Sequence, residues 1–66
     1  MRGNYLINCL WYEDIPPEAA ARALDLTPEE FFDKIFGNVD FTIDEIRKLT
    51  ALLGLTTEEV DMIFFD

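Results

Sequence analysis

Histidine is absent from this 66-residue sequence, cysteine occurs once and only five residues are basic. Without histidine the chain lacks the commonest general base and a common zinc ligand, so we predict no enzyme, no metal site and no cofactor. The lone Cys9 cannot form an internal disulfide and is interpreted as a small buried hydrophobe. No apolar run reaches the ~20 residues of a membrane span, and the N-terminus lacks a signal pattern. These absences predict a cytoplasmic protein with no membrane partner.

The few bases are opposed by 14 acids, which gives a formal net charge of −9. The acids are spread evenly: residues 1–37 hold seven acids and three bases, and residues 38–66 hold seven acids and two bases. Affinity for nucleic acid depends largely on Lys and Arg at phosphates, so this composition disfavours DNA binding. The alternative explanation is that acidity maintains solubility and serves no binding function.

The apolar half of the sequence is sufficient for a core. Apolar residues make up 50% of the chain, including six Phe, two Tyr and one Trp. A chain of this length forms one domain, which we expect to span residues 1–66.

One short motif occurs three times, with a Thr after an apolar residue and a Glu three positions further on. In such a capping box the Thr oxygen accepts from a free backbone N–H of the first turn, while the Glu reaches back to the Thr N–H. The motif therefore predicts helix starts at Thr27, Thr42 and Thr56, and Pro17 marks a weaker fourth start. The copies are LTPEEF at 26–31, FTIDEI at 41–46 and LTTEEV at 55–60.

Five helices are predicted from these starts and from apolar periodicity. Gly37 is expected to end the third helix in a left-handed conformation, and Gly54 is expected to end the fourth. The last helix is expected to fray at Asp66. The predicted ranges are 4–13, 17–25, 28–36, 42–53 and 57 onward. The predicted inward residues are Ile43, Ile46, Leu49, Thr50 and Leu53 on the fourth helix, and Val60, Ile63 and Phe64 on the fifth.

The stretch IPPEAAARALDLTPEEFFDKIFGN, residues 15–38, resembles the helix-turn-helix of the Cro/repressor-like (Xre-type) family. It is most similar to the small forms of phages and other mobile elements, and FTIDEIRKLTALLGLTTEEVDMIF is similar to the family's fourth and fifth helices. The resemblance covers residues 15–65 and implies a compact all-α, five-helix domain with its helix-turn-helix at about 16–37. The positions that carry it are Ala21, Leu24, Leu26, Thr27, Phe31, Ile35 and Gly37.

The sequence departs from the family where the family binds DNA. Asp25 stands in the turn where Gly is common, and Pro16-Pro17 replaces the usual cap and a frequent DNA-contacting Gln. Where the family's recognition helix presents polar and basic side chains, this chain has acids and aromatics. These candidate partner-binding residues are Glu29, Glu30, Phe32, Asp33 and Phe36.

The leading hypothesis is a non-enzymatic helix-turn-helix module that binds a basic, nucleic-acid-handling protein through these five residues. A sharper version makes it a DNA mimic that inhibits such a protein, with carboxylates in place of phosphates. The alternative is a DNA-binding transcriptional regulator that uses Thr27, Lys34 and Asn38. Against both stands a structural interpretation, in which Phe32 and Phe36 only widen the stripe that faces the core.

Two further expectations concern the rest of the surface. Arg47 and Lys48 are expected to compensate Asp44 and Glu45 on one exposed helical face. Four other residues either form a homodimer seam or complete the core of a monomer. They are Trp11, Tyr12, Met62 and Phe65.

Overall fold

Helices make up the protein in the computed structural model, which describes residues 2–65. The elements are α1 (Gly3–Tyr12), α2 (Pro17–Ala23), α3 (Pro28–Ile35), α4 (Ile43–Leu53) and α5 (Thr57–Val60), which continues into a π-helical segment, Asp61–Phe65. Residues 2–65 contain no strand, so the predicted all-α fold is confirmed. None of the helices in this range is long and apolar enough to cross a bilayer. The fraying expected at Asp66 lies outside the described residues.

Three of the helices begin with the predicted capping box. The hydroxyl oxygens of Thr27, Thr42 and Thr56 accept from the N–H three residues on, at 3.1, 3.2 and 3.1 Å. In return the Glu at each third position accepts from the Thr N–H, at 2.9 Å in all three boxes. The predicted starts are confirmed, as is Pro17 in the first turn of α2.

Four helices end on a residue in the left-handed conformation. Gly37 and Gly54 occupy two of these ends, as predicted, but aspartates occupy the other two, with φ of 56° at Asp14 and 59° at Asp25. Asp25 thus adopts the conformation that glycine takes most readily, which Asp tolerates better than most residues. The next N–H reaches back to a carbonyl of the ending helix in every case. These bonds are Ile15 to Leu10, Leu26 to Ala21, Asn38 to Asp33 and Leu55 to Thr50.

The core is centred on the fully buried Phe31 of α3. Ala20 and Ala21 are also fully buried, and their small side chains let α2 approach α3 closely. A chain of ring contacts extends from this centre, with Phe31 edge-on to Phe41 at 6.2 Å between centroids and Phe41 edge-on to Phe64 at 5.5 Å. The other fully buried large side chains are Leu6, Leu10, Leu49 and Ile63.

The inward position predicted for Ile43 is wrong, because its side chain is 58% exposed. The buried stripe of α4 is formed by Glu45, Ile46, Leu49 and Leu53. At 100° per residue Ile43 lies about 100° from the middle of this stripe, so it faces outward.

The aromatic residues of the proposed seam do not complete a monomer core. Trp11 is 78% exposed, Tyr12 88% and Phe65 61%, and only Met62 is half-buried. Leu6 and Leu10 already occupy the inner side of α1, so its next two residues face water. The core alternative is therefore wrong for Trp11, Tyr12 and Phe65, and the homodimer stays a prediction.

Cys9 packs against the core as a half-buried side chain and is less buried than predicted. Burial, with the nearby charges of Glu59 and Glu13, raises the pKa of its thiol. The thiol is therefore neutral at physiological pH and behaves as a small apolar group.

The start of α1 lies against the end of α3 at Gly3. A Cβ on Gly3 would lie 2.3 Å from the carbonyl oxygen of Ile35, which is too close for any side chain. The same end of α1 is held by the Arg2 N–H, which donates to the Ile63 carbonyl at 2.8 Å. Gly3 therefore permits the contact that joins α1 to α3 and to the C-terminal segment.

We expect Gly3→Ala to lower the free energy of unfolding by about 1–3 kcal/mol, because the new methyl group must push two backbones apart. Urea unfolding followed by circular dichroism measures this change. Asn4→Ala, at the next and exposed position of α1, is the matched control and should have little effect. Equal stability of the two variants would contradict the close contact.

Candidate functional site

Two stacked phenyl rings mark the outer side of α3. The Phe32 and Phe36 centroids are 5.9 Å apart and the rings are 19° from parallel. Phe36 is 68% exposed, whereas Phe32 is half-buried and also approaches Phe31 at 6.4 Å. The pair therefore extends outward from the core to the surface, with Phe36 at its outer end.

Acids surround the ring pair at helical spacing. Glu29, Phe32, Asp33 and Phe36 follow the i, i+3, i+4, i+7 pattern that places residues on one helical face, and Glu30 flanks it. Glu29 and Glu30 are exposed and Asp33 is half-buried. Within residues 2–65, no ion pair of 4.0 Å or less joins any of these carboxylates to a base. We call these five residues the α3 face.

Glu30 also has a structural role, since it closes the capping box at Thr27. Hydrogen bonds from the Thr27 N–H and side chain lower the pKa of its carboxyl group. The charge of Glu30 is therefore maintained by the start of the helix that displays it.

The one basic residue of α3 points away from this face. Lys34 is only 9% exposed, and its Nζ lies 2.6 Å from Oε1 of Glu45 on α4. The same Glu45 oxygen accepts from the Thr42 N–H at 2.9 Å. Lys34 therefore contributes its charge to the contact between α3 and α4, which leaves acids as the only charged groups of the α3 face.

The environment of Glu45 keeps its carboxyl group ionised. Burial raises the pKa of Glu45, but the hydrogen bonds from Lys34 and from Thr42 together outweigh burial, and the pKa lies below its ordinary value. Glu45 is therefore ionised at neutral pH, as the acceptor of the Lys34 hydrogen bond.

The DNA-binding alternative relies on three residues that lie in different environments. Lys34 is paired inside the domain, as described, and the exposed Thr27 uses its hydroxyl oxygen to accept from the Glu30 N–H. Asn38 is exposed just after the end of α3. Of the three, none presents a free cationic group at the surface.

The basic residues of α4 do not compensate acids of the same helix, contrary to expectation. Lys48 Nζ instead lies 3.8 Å from Asp25 Oδ2, in the turn between α2 and α3. Among the described residues no ion pair joins Arg47 or Lys48 to Asp44 or Glu45, and Glu45 points inward to Lys34.

Sequence reasoning missed a groove beside α3, whose lining combines apolar side chains with Lys34 and Asp40. Val39, Ile43 and Phe65 are all exposed and line one shallow groove of about 310 Å³ together with the half-buried Phe41 and Phe64. The available signal was Val39, an apolar residue in a polar turn of the sequence GNVD.

Neither a metal-binding group nor similarity to a known protein assigns a function to this chain. In the part of the chain that the structure describes, no three His, Cys, Asp or Glu side chains are grouped to hold a metal ion. Comparisons with protein-family models, curated proteins and solved structures give no match for this chain. The properties of the chain that bear on its function are therefore the geometry and charge of its surface.

The Lys34–Glu45 pair predicts that stability falls in acid. Because the pKa of Glu45 is lowered in the folded state, its contribution is complete above the unfolded value of 4.5 and is lost as the pH falls through the lower folded value. We expect Glu45→Gln to be less stable than the parent at pH 7 and to lose less stability between pH 5 and the acid limit. Urea unfolding across that pH range measures both effects.

Lysine variants test the same pair. Lys34→Met should cost about 2 kcal/mol, because it leaves a mostly buried carboxylate without its charged donor. Lys48→Met, which removes the more exposed lysine, should cost less than about 1 kcal/mol. Combining Lys34→Met with Glu45→Gln should cost less than the sum of the single changes. Equal costs for the two lysine variants would contradict a special role for Lys34.

Proposed function

We propose that this chain is a non-enzymatic module of helix-turn-helix type that binds a basic protein partner through the α3 face. The proposal rests on one observation: Lys34 pairs inward with Glu45, so the exposed ring of Phe36 is accompanied only by the three carboxylates of the α3 face. An exposed aromatic group rimmed by like charges is typical of a protein-binding surface, where aromatic side chains supply much of the binding energy.

The helix-turn-helix part of the proposal is supported by the geometry of α2 and α3. The two helices contact each other and are separated by only four residues, 24–27, as in helix-turn-helix motifs. The left-handed φ of Asp25 gives the turn the backbone conformation that Gly adopts at such positions. On this proposal the recognition helix of the motif is α3.

Charge supports a basic partner over DNA. Residues 28–46 contain six acids and one lysine, and that lysine is neutralised by Glu45. If α3 entered a major groove, Glu29, Glu30 and Asp33 would approach phosphates, and such like-charge contacts cost several kcal/mol. A basic protein surface, in contrast, gains Coulombic attraction from the same carboxylates.

A partner that normally holds nucleic acid fits this chemistry best. Its groove already carries Lys and Arg side chains positioned for phosphates, and carboxylates on a rigid helix can occupy the same positions. The refined proposal is therefore a DNA mimic, whose binding to the partner is competed by duplex DNA.

Exposed side chains allow a direct test by capture. Immobilised protein should retain basic proteins from a lysate, and Phe36→Ala should abolish the capture of those that use the α3 face. Tyr12→Ala, which also removes an exposed ring, is the matched control and should leave capture unchanged. Added duplex DNA should release the same proteins if they bind the chain as a mimic. Equal capture by the Phe36→Ala and Tyr12→Ala variants would contradict the proposal.

The carboxylates require a separate test. Glu29→Gln with Asp33→Asn should weaken capture and reduce its sensitivity to salt, because two attractive charges are lost. Asp44→Asn with Glu58→Gln removes the same net charge elsewhere and should have a smaller effect. An equal effect of both pairs would show that net charge alone, and not the α3 face, drives binding.

DNA binding itself is measured by titration with a duplex oligonucleotide across salt concentrations. The proposal predicts no binding at physiological salt. Tight binding that weakens steeply as salt rises would support the transcriptional regulator instead and would contradict the acidic binding face.

A further inference from the structure

A separate surface lies where α1 ends and α2 begins. Here an open groove of about 380 Å³ runs along the side of Trp11, and most of its wall is apolar. Asp14 is the only charged residue in the lining. The lining includes Ile7, Trp11, Asp14, Ile15, Pro16 and Pro17, and we call it the Trp11 groove.

The fold of the single chain does not require Trp11 at this position. The side chain is 78% exposed, while Leu6 and Leu10 supply the fully or nearly fully buried contacts of the same helix. Tryptophan presents more apolar surface than any other side chain, and it is enriched among the residues that dominate protein interfaces. An exposed Trp beside an apolar groove therefore provides a place for an apolar side chain of another molecule.

The charges around the groove select the chemistry of that molecule. Asp14 lies in the lining, and Glu18 directly follows the lining residue Pro17; both carboxylates are exposed. No basic residue lines the groove. A second copy of this chain would bring the same acids together across a twofold axis and would add a second net charge of −9. Charge complementarity therefore favours a basic occupant.

The position of Asp14 is fixed by the backbone. Its φ of 56° ends α1, and the Ile15 N–H donates to the Leu10 carbonyl at 2.9 Å on the far side of the turn. This turn holds the carboxylate at the edge of the groove, next to the apolar wall. A cationic side chain that pairs with Asp14 would thus place its neighbours along the chain against Trp11.

We propose that the Trp11 groove binds a basic segment of a protein partner, with an apolar side chain of that segment against Trp11 and a Lys or Arg paired with Asp14. The two surfaces share no residue, so this proposal does not depend on the α3 face. The proposal gives a role to Trp11 and to the turn at Asp14, neither of which contributes to the core.

Trp11 is the only tryptophan of the chain, so its fluorescence reports on this groove directly. The probes are three synthetic helical peptides of equal length: one with Leu and Lys on opposite faces, one with Ser in place of Leu, and one with Glu in place of Lys. We expect the Leu/Lys peptide to shift Trp11 emission to shorter wavelength and the other two to have little effect. The titrations use the Phe36→Ala variant, so that binding at the α3 face does not contribute.

Two aspartates in the same backbone conformation provide a matched pair of variants. Asp14→Asn should weaken the Leu/Lys peptide about threefold, as expected for one exposed charge pair. Asp25→Asn makes the same change at the end of α2 and should leave the affinity unchanged. Asn tolerates the left-handed conformation as Asp does, so both variants should keep the fold, which circular dichroism verifies.

Four results would overturn the proposal. If the Ser/Lys peptide bound as tightly as the Leu/Lys peptide, the apolar contact would not contribute to binding. If the Leu/Glu peptide bound as tightly, the basic contact would not contribute. Equal losses in Asp14→Asn and Asp25→Asn would indicate attraction to net charge alone. A doubled mass in sedimentation that Trp11→Ala returns to the monomer value would assign the groove to a second copy of the chain.

Discussion

Glu45 Oε1 accepts a hydrogen bond from the Thr42 N–H at 2.9 Å and another from Lys34 Nζ at 2.6 Å. The first bond starts α4 and the second joins α4 to α3, so one carboxylate oxygen fixes both the beginning of a helix and its neighbour. Lys34 turns inward with Phe31 and Ile35, whereas Glu29, Glu30 and Phe36 are exposed on the other side of α3. The α3 face therefore lacks a base because the single lysine of α3 is bound to Glu45.

The helices are too short to be stable alone, since isolated helices below about 12 residues are marginal in water. Capping boxes at three starts and left-handed residues at four ends satisfy the backbone groups that short helices leave free. This leaves little need for loops, and most apolar residues can contribute to one core. Two of the left-handed ends carry Asp, where Gly would cost less backbone strain. Those carboxylates lie at surfaces, Asp25 near Lys48 and Asp14 at the edge of the Trp11 groove.

Helix starts and ends could be predicted from the sequence because their chemistry is local. A capping box needs only four consecutive residues, and the left-handed ends at Gly37 and Gly54 need only the glycine itself. The buried residues of α1 and α4 were also largely predictable from spacing. The exposure of Ile43 was not predictable, because apolar periodicity shows which side of a helix is buried more accurately than how wide the buried stripe is.

The character of the α3 face depends on a contact between residues that are distant in the sequence. Lys34 and Glu45 are 11 positions apart, and nothing in either local motif indicates that they pair. Compensation within α4 was expected instead, but Glu45 pairs with Lys34 and Lys48 lies near Asp25. Trp11 and Tyr12 were candidates for a core or a seam, and the outcome depended on how much space Leu6 and Leu10 leave on the inner side of α1. The continuation of α5 into a π-helical segment likewise has no sequence signature that we recognise.

The pairing of Lys34 can be measured directly because the chain has only two lysines, Lys34 and Lys48. Nitrogen-15 NMR of the two side-chain ammonium groups compares how fast their protons exchange with water. We expect a slowly exchanging Lys34 signal that is coupled to the ionisation of Glu45, beside a rapidly exchanging Lys48 signal. Equally rapid exchange for both would place the Lys34 ammonium in solvent and would contradict an α3 face without a cation.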